Sequence, residues 1–418
     1  MPDASEAFQM REARSRFAAM AGAYFMGTFN DNFFKQAVML IAVTAGRKDL
    51  QGIVVLAFTA PFVVLAAPAG WLADRFPKRS VVIAAKSMEL MAAFVGLAGL
   101  VTGHLGLMVG MVGLMGLQAT FFSPALNGAI PELFPPARVT WANGILRMLV
   151  TTGILVGITL AGFVLDIGGA PLLSAPRGRV LVGVMVVAIS ALGLLVSFGI
   201  PRRNAADATR RFPWTGPVET VRELRAIWRD RQLGRILVAD VFLWSAGAFQ
   251  LILINTLGKE QFGLSDSLTS LLVAAQMLGL AVGGLLAAHF STGSRWFRVL
   301  LPAGLGMALA MGLVSLVPVL PAALRIPSLY GLIGLAGAAG GLFLIPCESF
   351  LQIRPAPERK GAVWAAANFA SFSGMAVASV VYIALKSLKP SSAYGVLGAM
   401  SLLITAWLYS EFRREEWR

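Results

Sequence analysis

The chain contains twelve apolar stretches of about 20 residues or more, and this feature limits its fold more than any other. A helix needs ~20 apolar residues to cross the ~30 Å hydrocarbon core of a bilayer. Charged residues make up only 13% of the chain and hydrophobic residues 57%, whereas soluble proteins carry about 25% charged residues. We therefore predict an all-α polytopic membrane protein with 12 transmembrane helices. The predicted spans are residues 17–44, 52–73, 80–102, 105–127, 141–166, 179–200, 236–258, 267–290, 297–320, 328–350, 361–386 and 392–411.

Several classes of function are excluded by missing motifs. The chain has no HExxH, GxSxG, SxxK or GxxxxGK[ST] pattern, so no hydrolase or nucleotide-driven pump is expected. Its two His residues lie far apart and offer no metal-ligand spacing, and its single Cys permits no intrachain disulfide. We predict a protein that is not an enzyme and needs no metal or cofactor.

The distribution of basic residues predicts the topology. With both termini in the cytoplasm, 24 of the 35 Lys and Arg residues lie on the cytoplasmic side, eight lie outside and three lie within spans. The formal charge of +14 thus reflects membrane orientation and does not point to a nucleic-acid partner. Arginines 11, 14 and 16 precede the first apolar stretch, which is interpreted as a retained span and not as a signal peptide.

An Arg-rich segment divides the predicted spans into two sets of six. Residues 201–235 contain nine Arg and are predicted to be a cytoplasmic linker, with an amphipathic surface helix near 217–231. The predicted domains are an N-terminal half, residues 1–200, this linker, and a C-terminal half, residues 236–418.

The two halves resemble diverged copies of one another. Residues 27–30 (GTFN) match residues 247–250 (GAFQ) at a separation of 220. Around the ends of spans four and ten, three further pairs are 221 to 223 residues apart: Pro124 with Pro346, Arg138 with Arg359, and Trp141 with Trp364. This order predicts a parallel six-plus-six repeat, with pseudo-twofold halves and a site between them near the midplane.

The loop after span two carries a family motif. Residues 70–79 (GWLADRFPKR) resemble the GxxxD(R/K)xG(R/K)(R/K) signature of the major facilitator superfamily, with Pro77 where Gly is usual. The resemblance implies the major facilitator fold and a motif that holds the cytoplasmic side closed when the cavity faces outward. An Asp at this rim can interact with the positive end of a helix dipole from the other half. The second half lacks the motif around His289, so the gate is expected to be one-sided. The predicted gating residues are Gly70, Asp74, Arg75, Lys78, Arg79, Lys86 and Glu89.

Within that superfamily the chain is similar to the lysophospholipid transporters, including the transporter portion of acyltransferase fusions. The segments that carry this likeness are residues 27–36 (GTFNDNFFKQ), 122–125 (FSPA), 128–133 (GAIPEL), 142–144 (ANG) and 346–352 (PCESFLQ). The resemblance implies transport of lysophosphatidylethanolamine and related lipids from the outer to the inner leaflet of the bacterial inner membrane. It also implies a monomer that interacts with membrane lipids and with a separate acyltransferase, since no fused one is expected. Gln250, Arg147 and Glu348 depart in charge from the family pattern.

Seven ionisable residues fall within the predicted spans: Asp31, Lys35, Lys86, Glu89, Arg147, Asp240 and Glu348. Each costs about 2.5 to 3.5 kcal/mol on membrane insertion scales, so each is expected to face protein and to have a partner. Lys86 and Glu89, three residues apart near the cytoplasmic end of span three, are predicted either to form a local pair or to snorkel, with at most a gating role. Arg147 and Glu348 are predicted to pair across the halves, either as substrate contacts or as a permanent strut. Asp240 is expected to be exposed at the rim of span seven.

A zwitterionic lysolipid needs a cation for its phosphate, an acid or amide for its amine, and an apolar path for one acyl chain. Lys35 or Arg147 is predicted to take the first role and Asp31, Asn32 or Glu348 the second. Phenylalanines such as Phe29 line the path or simply pack, and the glycine run 334–341 is expected to permit close helix packing. The predicted substrate-binding residues are Asn30, Asp31, Asn32, Lys35, Arg147, Gln250 and Glu348.

Two other functions fit parts of the sequence. A proton-coupled exporter of amphipathic drugs would use Asp31 or Glu348 as its titrating carboxyl group. A non-transporting sensor or acyltransferase partner would use the Arg-rich linker as a docking surface, although the linker is more simply explained as a lipid-surface anchor.

Overall fold

The computed structural model describes residues 4–133, 136–291, 293–356 and 359–414, and these are almost entirely helical. The fourteen α-helices of this part of the chain are α1 (Ala4–Thr44), α2 (Asp49–Val64), α3 (Ala66–Arg75), α4 (Lys78–Thr102), α5 (Leu105–Leu133), α6 (Pro136–Leu165), α7 (Arg177–Ser197), α8 (Gly216–Ile227), α9 (Arg231–Thr256), α10 (Asp266–Phe290), α11 (Leu300–Val314), α12 (Ala322–Ile353), α13 (Lys360–Ala384) and α14 (Pro390–Arg414).

Each of the twelve predicted spans corresponds to a helix or to a pair of helices, which confirms the predicted fold class. Among the described residues, ten helices are long and apolar enough to cross a membrane, and the bent pair α2 and α3 raises the number to eleven. The remaining predicted span lies in α1, which is 41 residues long but is not among these apolar helices. The polar run of residues 30–36 (NDNFFKQ) explains why α1 is less apolar than the others.

The second predicted span is broken between α2 and α3, where the axis bends by 58°. Pro68 lies four residues after Val64, so it has no N–H group to donate to the carbonyl of Val64. In a straight helix its ring would also clash with that carbonyl group. The helix resumes at once, because Leu65 N–H donates to Pro61 O at 2.8 Å and Ala69 N–H donates to Leu65 O at 2.9 Å.

The chain divides into two compact units. The first unit comprises Met1–Val38 and Ala57–Gly216, and the second comprises Met39–Leu56 and Pro217–Arg418. In the first unit α4 packs against α5 and α7, and α3 packs against α5. In the second unit α10 packs against α12, α11 packs against α12 and α14, and α9 packs against α13. The end of α1 and the start of α2 therefore pack in the second unit, although both neighbouring parts of the chain belong to the first.

Glycines allow α10 and α12 to approach each other closely. A side chain at Gly283 would collide with the carbonyl oxygen of Ala338, and one at Gly341 would collide with that of Leu280. The expected packing role of the run 334–341 is confirmed, since small residues let membrane helices come into backbone contact.

The linker consists of two different parts. Residues 201–215 form no α-helix, whereas α8 (Gly216–Ile227) matches the amphipathic helix predicted near 217–231. Asp230 then caps α9, where its carboxylate accepts from the N–H groups of Gln232 and Leu233 at 3.1 and 3.2 Å. The side chains of Arg138 and Trp141, two members of the predicted repeat, lie outside the described residues.

Candidate functional site

A buried ion pair joins three helices of the first unit. Lys86 and Glu89 of α4 have no exposed surface, and their Nζ and Oε2 atoms lie 2.6 Å apart. The other oxygen of Glu89 accepts from Asn30 Nδ2 of α1 at 3.2 Å and from Ser190 Oγ of α7 at 3.5 Å. Asn30 Nδ2 also lies 2.7 Å from Ser190 Oγ. The expected local pair therefore forms, and the snorkelling alternative is wrong because neither side chain is exposed. The pair contacts Asn30, a residue predicted to bind substrate.

The surroundings of Lys86 are shaped to hold its ammonium group. A Cβ atom at Gly27 would lie 2.6 Å from Lys86 Nζ, so any larger residue there would displace the ammonium group. On another side, Nζ lies 5.0 Å from the centre of the Phe122 ring, at a distance suited to a cation–π interaction. Both the bond to Glu89 and the ring compensate for the loss of water around this charge.

Asp31 and Lys35 lie one turn apart on α1, yet each has a different immediate neighbour. Asp31 is buried, and its Oδ1 lies 3.5 Å from Gln118 Nε2 of α5. Lys35 is half-buried and places its Nζ 4.4 Å from the centre of the Phe58 ring. Asn32 donates to Thr28 O of its own helix at 2.8 Å. Asp31 and Lys35 still attract each other, and Lys86 and Glu89 add their fields at Asp31.

Two acceptor atoms near these charges have no hydrogen-bond donor. They are Asn30 Oδ1 and Gln118 Oε1, and both are buried. Buried acceptors without donors are uncommon in folded proteins, and each of these two oxygens can accept a hydrogen bond from water or from a ligand. The first unit therefore combines a cation at Lys35, a carboxylate at Asp31 and free amide oxygens.

The second unit contains a buried pair of carboxyl groups. Asp240 of α9 is 4% exposed, and its Oδ2 accepts from Ser371 Oγ of α13 at 2.8 Å, while its Oδ1 has no donor. Glu348 of α12 is 9% exposed and lies close enough to repel Asp240. The expectation that Asp240 lies at an exposed rim is wrong, because α9 begins at Arg231 and Asp240 is therefore well inside the helix. In the described residues, no group of three or more His, Cys, Asp or Glu side chains could hold a metal ion.

The other two predicted binding residues have contrasting environments. Gln250 is buried on α9, and its Oε1 has no donor. Arg147 is exposed on α6, next to Met148, which is 59% exposed. The predicted pairing of Arg147 with Glu348 stays a prediction.

The gating motif is bound by the linker. Asp74 at the end of α3 forms an ion pair with Arg210, and its backbone oxygen accepts from Asp207 N–H at 3.0 Å. Arg210 O in turn accepts from Trp71 Nε1 at 3.0 Å and from Arg75 Nη1 at 3.3 Å. Residues 207–216, here called the strap, therefore lie along α3. The sequence predicted a helix-dipole partner for Asp74, whereas the partner found in the first unit is Arg210.

The remaining motif residues lie around the start of α4. Arg79 Nη2 donates to Phe198 O at 3.0 Å, and Lys78 is buried with 8% of its surface exposed. Gly70 has open space where a Cβ would lie, so packing alone does not require glycine there. In the strap, hydrogen bonds from Thr209 hold the pKa of Asp207 below its ordinary value.

A polar network fastens the segment Met39–Leu56 within the second unit. Gln51 Nε2 donates to Thr256 Oγ1 at 2.9 Å and to Tyr382 Oη at 3.4 Å, and those two hydroxyls lie 2.9 Å apart. Lys48 Nζ lies 2.8 Å from Glu260 Oε2. A side chain at Gly52 would approach Ser379 O to 2.8 Å, so the segment packs directly against α13.

Sequence reasoning missed Gln118, Ser371 and the Gln51 network. All are neutral polar residues in or beside apolar stretches, and such residues are harder to recognise as site residues than ionisable groups because they cost less to bury. Arg210 was counted among nine linker arginines with nothing to distinguish it from the others.

Known proteins resemble the chain over most of its length. The family model described as Major Facilitator Superfamily matches residues 17–379. Lysophospholipid transporter LplT of Serratia proteamaculans (strain 568) is 27% identical over 348 residues, which cover 82% of this chain and 81% of that protein. Lysophospholipid transporter LplT of Yersinia pestis (strain Pestoides F) is 28% identical over 347 residues, covering 82% and 79%. The crystal structure of a D-xylose-proton symporter is 17% identical with a TM-score of 0.69, covers 95% of this chain and 97% of that one, and is similar in fold.

Proposed function

This chain belongs to the major facilitator superfamily, and from that premise we propose that it is an alternating-access transporter of lysophospholipids. It moves lysophosphatidylethanolamine-type lipids from the outer to the inner leaflet of the bacterial inner membrane. The observation that carries the proposal is the likeness to lysophospholipid transporters over 82% of the chain. The family and the relatives are transporters, so the chain is a transporter and not an enzyme.

The polar groups of the first unit suit a zwitterionic head group. Lys35 supplies the cation for the phosphate, and among the described residues its ammonium lies over the Phe58 ring and is attracted to Asp31. Asp31 and the free oxygen of Gln118 accept hydrogen bonds from the amine. Asn30 plays a smaller part, because its amide nitrogen already donates to Glu89 and Ser190 and only its Oδ1 is free.

Arg147, Gln250 and Glu348 complete the proposed binding set. Arg147 is exposed and so able to meet an anionic phosphate. Gln250 has a free buried oxygen, and Glu348 adds a carboxylate near Asp240. Arg147 and Glu348 either contact the lipid directly or form a charge pair that breaks and re-forms in each transport cycle.

The segment Met39–Leu56 is held in the second unit by side-chain contacts. The backbone joins it at both ends to the first unit, while its side chains bind Thr256, Glu260 and Tyr382 of the second. Alternating access rocks the two halves of such a transporter against each other. The segment therefore moves with the second unit, and the chain on either side of it connects that unit to the first.

The remaining topology is part of the same proposal. The halves are residues 1–200 and 236–418, joined by the cytoplasmic linker 201–235, with both termini in the cytoplasm and a monomer as the working form. A separate acyltransferase consumes the delivered lysolipid.

A proton-coupled exporter of amphipathic compounds is the second candidate, and one observation favours it. Asp240 and Glu348 form a buried acid pair, and the described contacts of Asp240 include no cation. Such a pair is suited to coupling transport to a proton gradient.

Transport by the purified protein in liposomes separates the two candidates. Uptake of lysophosphatidylethanolamine, lysophosphatidylglycerol and a cationic drug would be compared with and without a proton gradient. We expect lysolipid transport that persists without the gradient. Transport of the drug alone, and only with the gradient, would instead establish the exporter.

Substitutions test the proposed binding residues in the same liposomes. Asp31→Asn and Arg147→Ala should insert and elute as folded protein but lose lysolipid transport. Met148→Ala, a change at the exposed neighbour of Arg147, serves as the matched control and should retain it. Full transport by both site variants would refute the site assignment.

A further inference from the structure

Four aromatic rings form a continuous row where the strap crosses α3. The rings of Phe76 and Trp71 lie 5.9 Å apart, those of Trp71 and Phe212 lie 5.2 Å apart, and those of Phe212 and Trp214 lie 4.6 Å apart. This row is called the aromatic row below. It joins the end of a membrane span to a segment that lies far away in the sequence.

The aromatic row is fixed in place although it is exposed. Trp71 Nε1 and Arg75 donate to Arg210 O. Gly216 packs so closely against α3 that a Cβ atom added to it would lie 2.5 Å from the Cβ atom of Ala67. Yet Trp214 is 85% exposed, Phe76 is 43% exposed and Phe212 is 37% exposed. Ordered aromatic rings that remain uncovered are typical of interaction surfaces.

Position and charge identify what covers these rings. The aromatic row lies at the end of the span formed by α2 and α3, and membrane proteins concentrate Trp at this depth, where the ring meets lipid head groups. Arg202, Arg203 and Arg211 are exposed in the same linker segment, and Arg210 is half exposed. The acidic residues of this surface are Asp207 and Asp74, and they are outnumbered by five arginines, at positions 75, 202, 203, 210 and 211, so its net charge is positive.

We propose that the aromatic row and the strap arginines form a docking surface for the anionic phospholipids of the cytoplasmic leaflet. Trp214 enters the head-group region, and Arg210 and Arg211 bind lipid phosphates. The proposal depends on the membrane orientation and not on the transported substrate.

A lipid bound at this surface affects the gating motif through Arg210. Its guanidinium group binds the carboxylate of Asp74, and a lipid phosphate is a second anion for the same group. A phosphate that draws Arg210 away leaves Asp74 free to act in the gate. A higher fraction of anionic lipid in the cytoplasmic leaflet thereby releases Asp74 from Arg210 more often.

A fluorescent label at position 214 tests the docking directly. Trp214→Cys, labelled with an environment-sensitive fluorophore, replaces one aromatic group by another in the full-length protein, and Cys347→Ala removes the buried native thiol. The protein would be placed in vesicles of phosphatidylcholine alone or of equal parts phosphatidylcholine and phosphatidylglycerol, each with a nitroxide-bearing lipid as quencher. We expect a blue-shifted emission and strong quenching, both greater in the anionic vesicles.

Asn204→Cys gives the matched control, because Asn204 is exposed in the same linker but outside the strap. Its label should show little quenching in either vesicle. Equal quenching at positions 204 and 214, or equal quenching at 214 in both vesicles, would overturn the proposal. A label at 214 that is shielded from water but not quenched by lipid would show a protein partner there and would overturn it as well.

Charge removal supplies a second measurement. Arg211→Gln should raise the phosphatidylglycerol fraction needed for half-maximal quenching at position 214 by about five-fold, since each Arg near an anionic surface contributes ~1 kcal/mol. Arg222→Gln, a change outside the strap on α8, should leave that fraction unchanged. No shift with Arg211→Gln, or the same shift with both variants, would contradict a role for the strap arginines.

Discussion

The ammonium group of Lys86 lies 2.6 Å from the carboxylate of Glu89, and neither side chain has any exposed surface. Both charges are taken from water, and Asn30 and Ser190 bond to the same carboxylate. A pair of this kind is sensitive to the loss of one member, because the other then remains buried without compensation. Its first importance is therefore for the packing of α1, α4 and α7.

Lys86→Met should destabilise the protein by about 3 to 5 kcal/mol, the usual cost of breaking a buried pair from one side. Thermal unfolding in detergent, followed by fluorescence-detected size exclusion, measures the loss. The double variant Lys86→Met with Glu89→Gln should recover much of the stability, because no uncompensated charge then remains. A double variant as unstable as Lys86→Met would show that the side chains stabilise through shape alone.

Gly27→Ala should lower the melting temperature and the yield of folded protein, because the new Cβ would lie 2.6 Å from Lys86 Nζ. Gly247 is the matched control, since it corresponds to Gly27 in the predicted repeat but has open space around its Cβ position. Gly247→Ala should therefore behave like the native protein in the same thermal assay. If the two substitutions lowered the melting temperature equally, the loss of stability would come from the helix backbone and not from displacement of Lys86.

Tyr382→Phe should loosen the segment Met39–Leu56 by removing the hydroxyl that meets Gln51 and Thr256. A hydrogen bond contributes about 1 kcal/mol, so the open fraction of the segment should rise about five-fold. The measurement is the labelling rate of a cysteine in place of Val54, which is fully buried in the segment.

Tyr394→Phe provides a control for the loss of a tyrosine hydroxyl. Tyr394 is fully buried, and its hydroxyl has no partner, so its removal should leave the labelling rate at Val54→Cys unchanged and the stability equal or higher. An unchanged labelling rate with Tyr382→Phe would mean that the segment is held by packing alone.

Ser371→Ala should destabilise the second unit by about 1 to 3 kcal/mol, because Asp240 would lose the donor to its Oδ2 and would then be buried without any hydrogen bond. Ser373→Ala is the comparison, since that hydroxyl bonds only to Phe369 O of its own helix. Thermal unfolding should separate the two variants. Equal stability would show that the hydrogen bond to Asp240 makes no net contribution.

The sequence predicts the helices well because apolar length is a local property. Every predicted span overlaps a helix or, for the second span, two helices, and the linker helix begins within one residue of its predicted start. The Lys86–Glu89 pair was also predictable, because residues three apart on a helix share a face.

The partners of the polar residues could not be read from local patterns. Arg210 and Asp74 are 136 residues apart, and Gln51 and Tyr382 are 331 apart, so no periodicity connects them. Asp240 was misplaced for a related reason. Hydropathy puts the start of span seven at residue 236, whereas the helix begins at Arg231, where Asp230 caps it.

The polar character of α1 has a consequence for biogenesis. A central Asp or Lys opposes insertion by about 2.5 to 3.5 kcal/mol, and residues 30–36 of α1 include both Asp31 and Lys35 together with three amides. The groups that compensate α1, namely Glu89, Gln118 and Ser190, are synthesised only later. We therefore expect α1 to gain these stabilising contacts in the bilayer only after α4, α5 and α7 have left the ribosome.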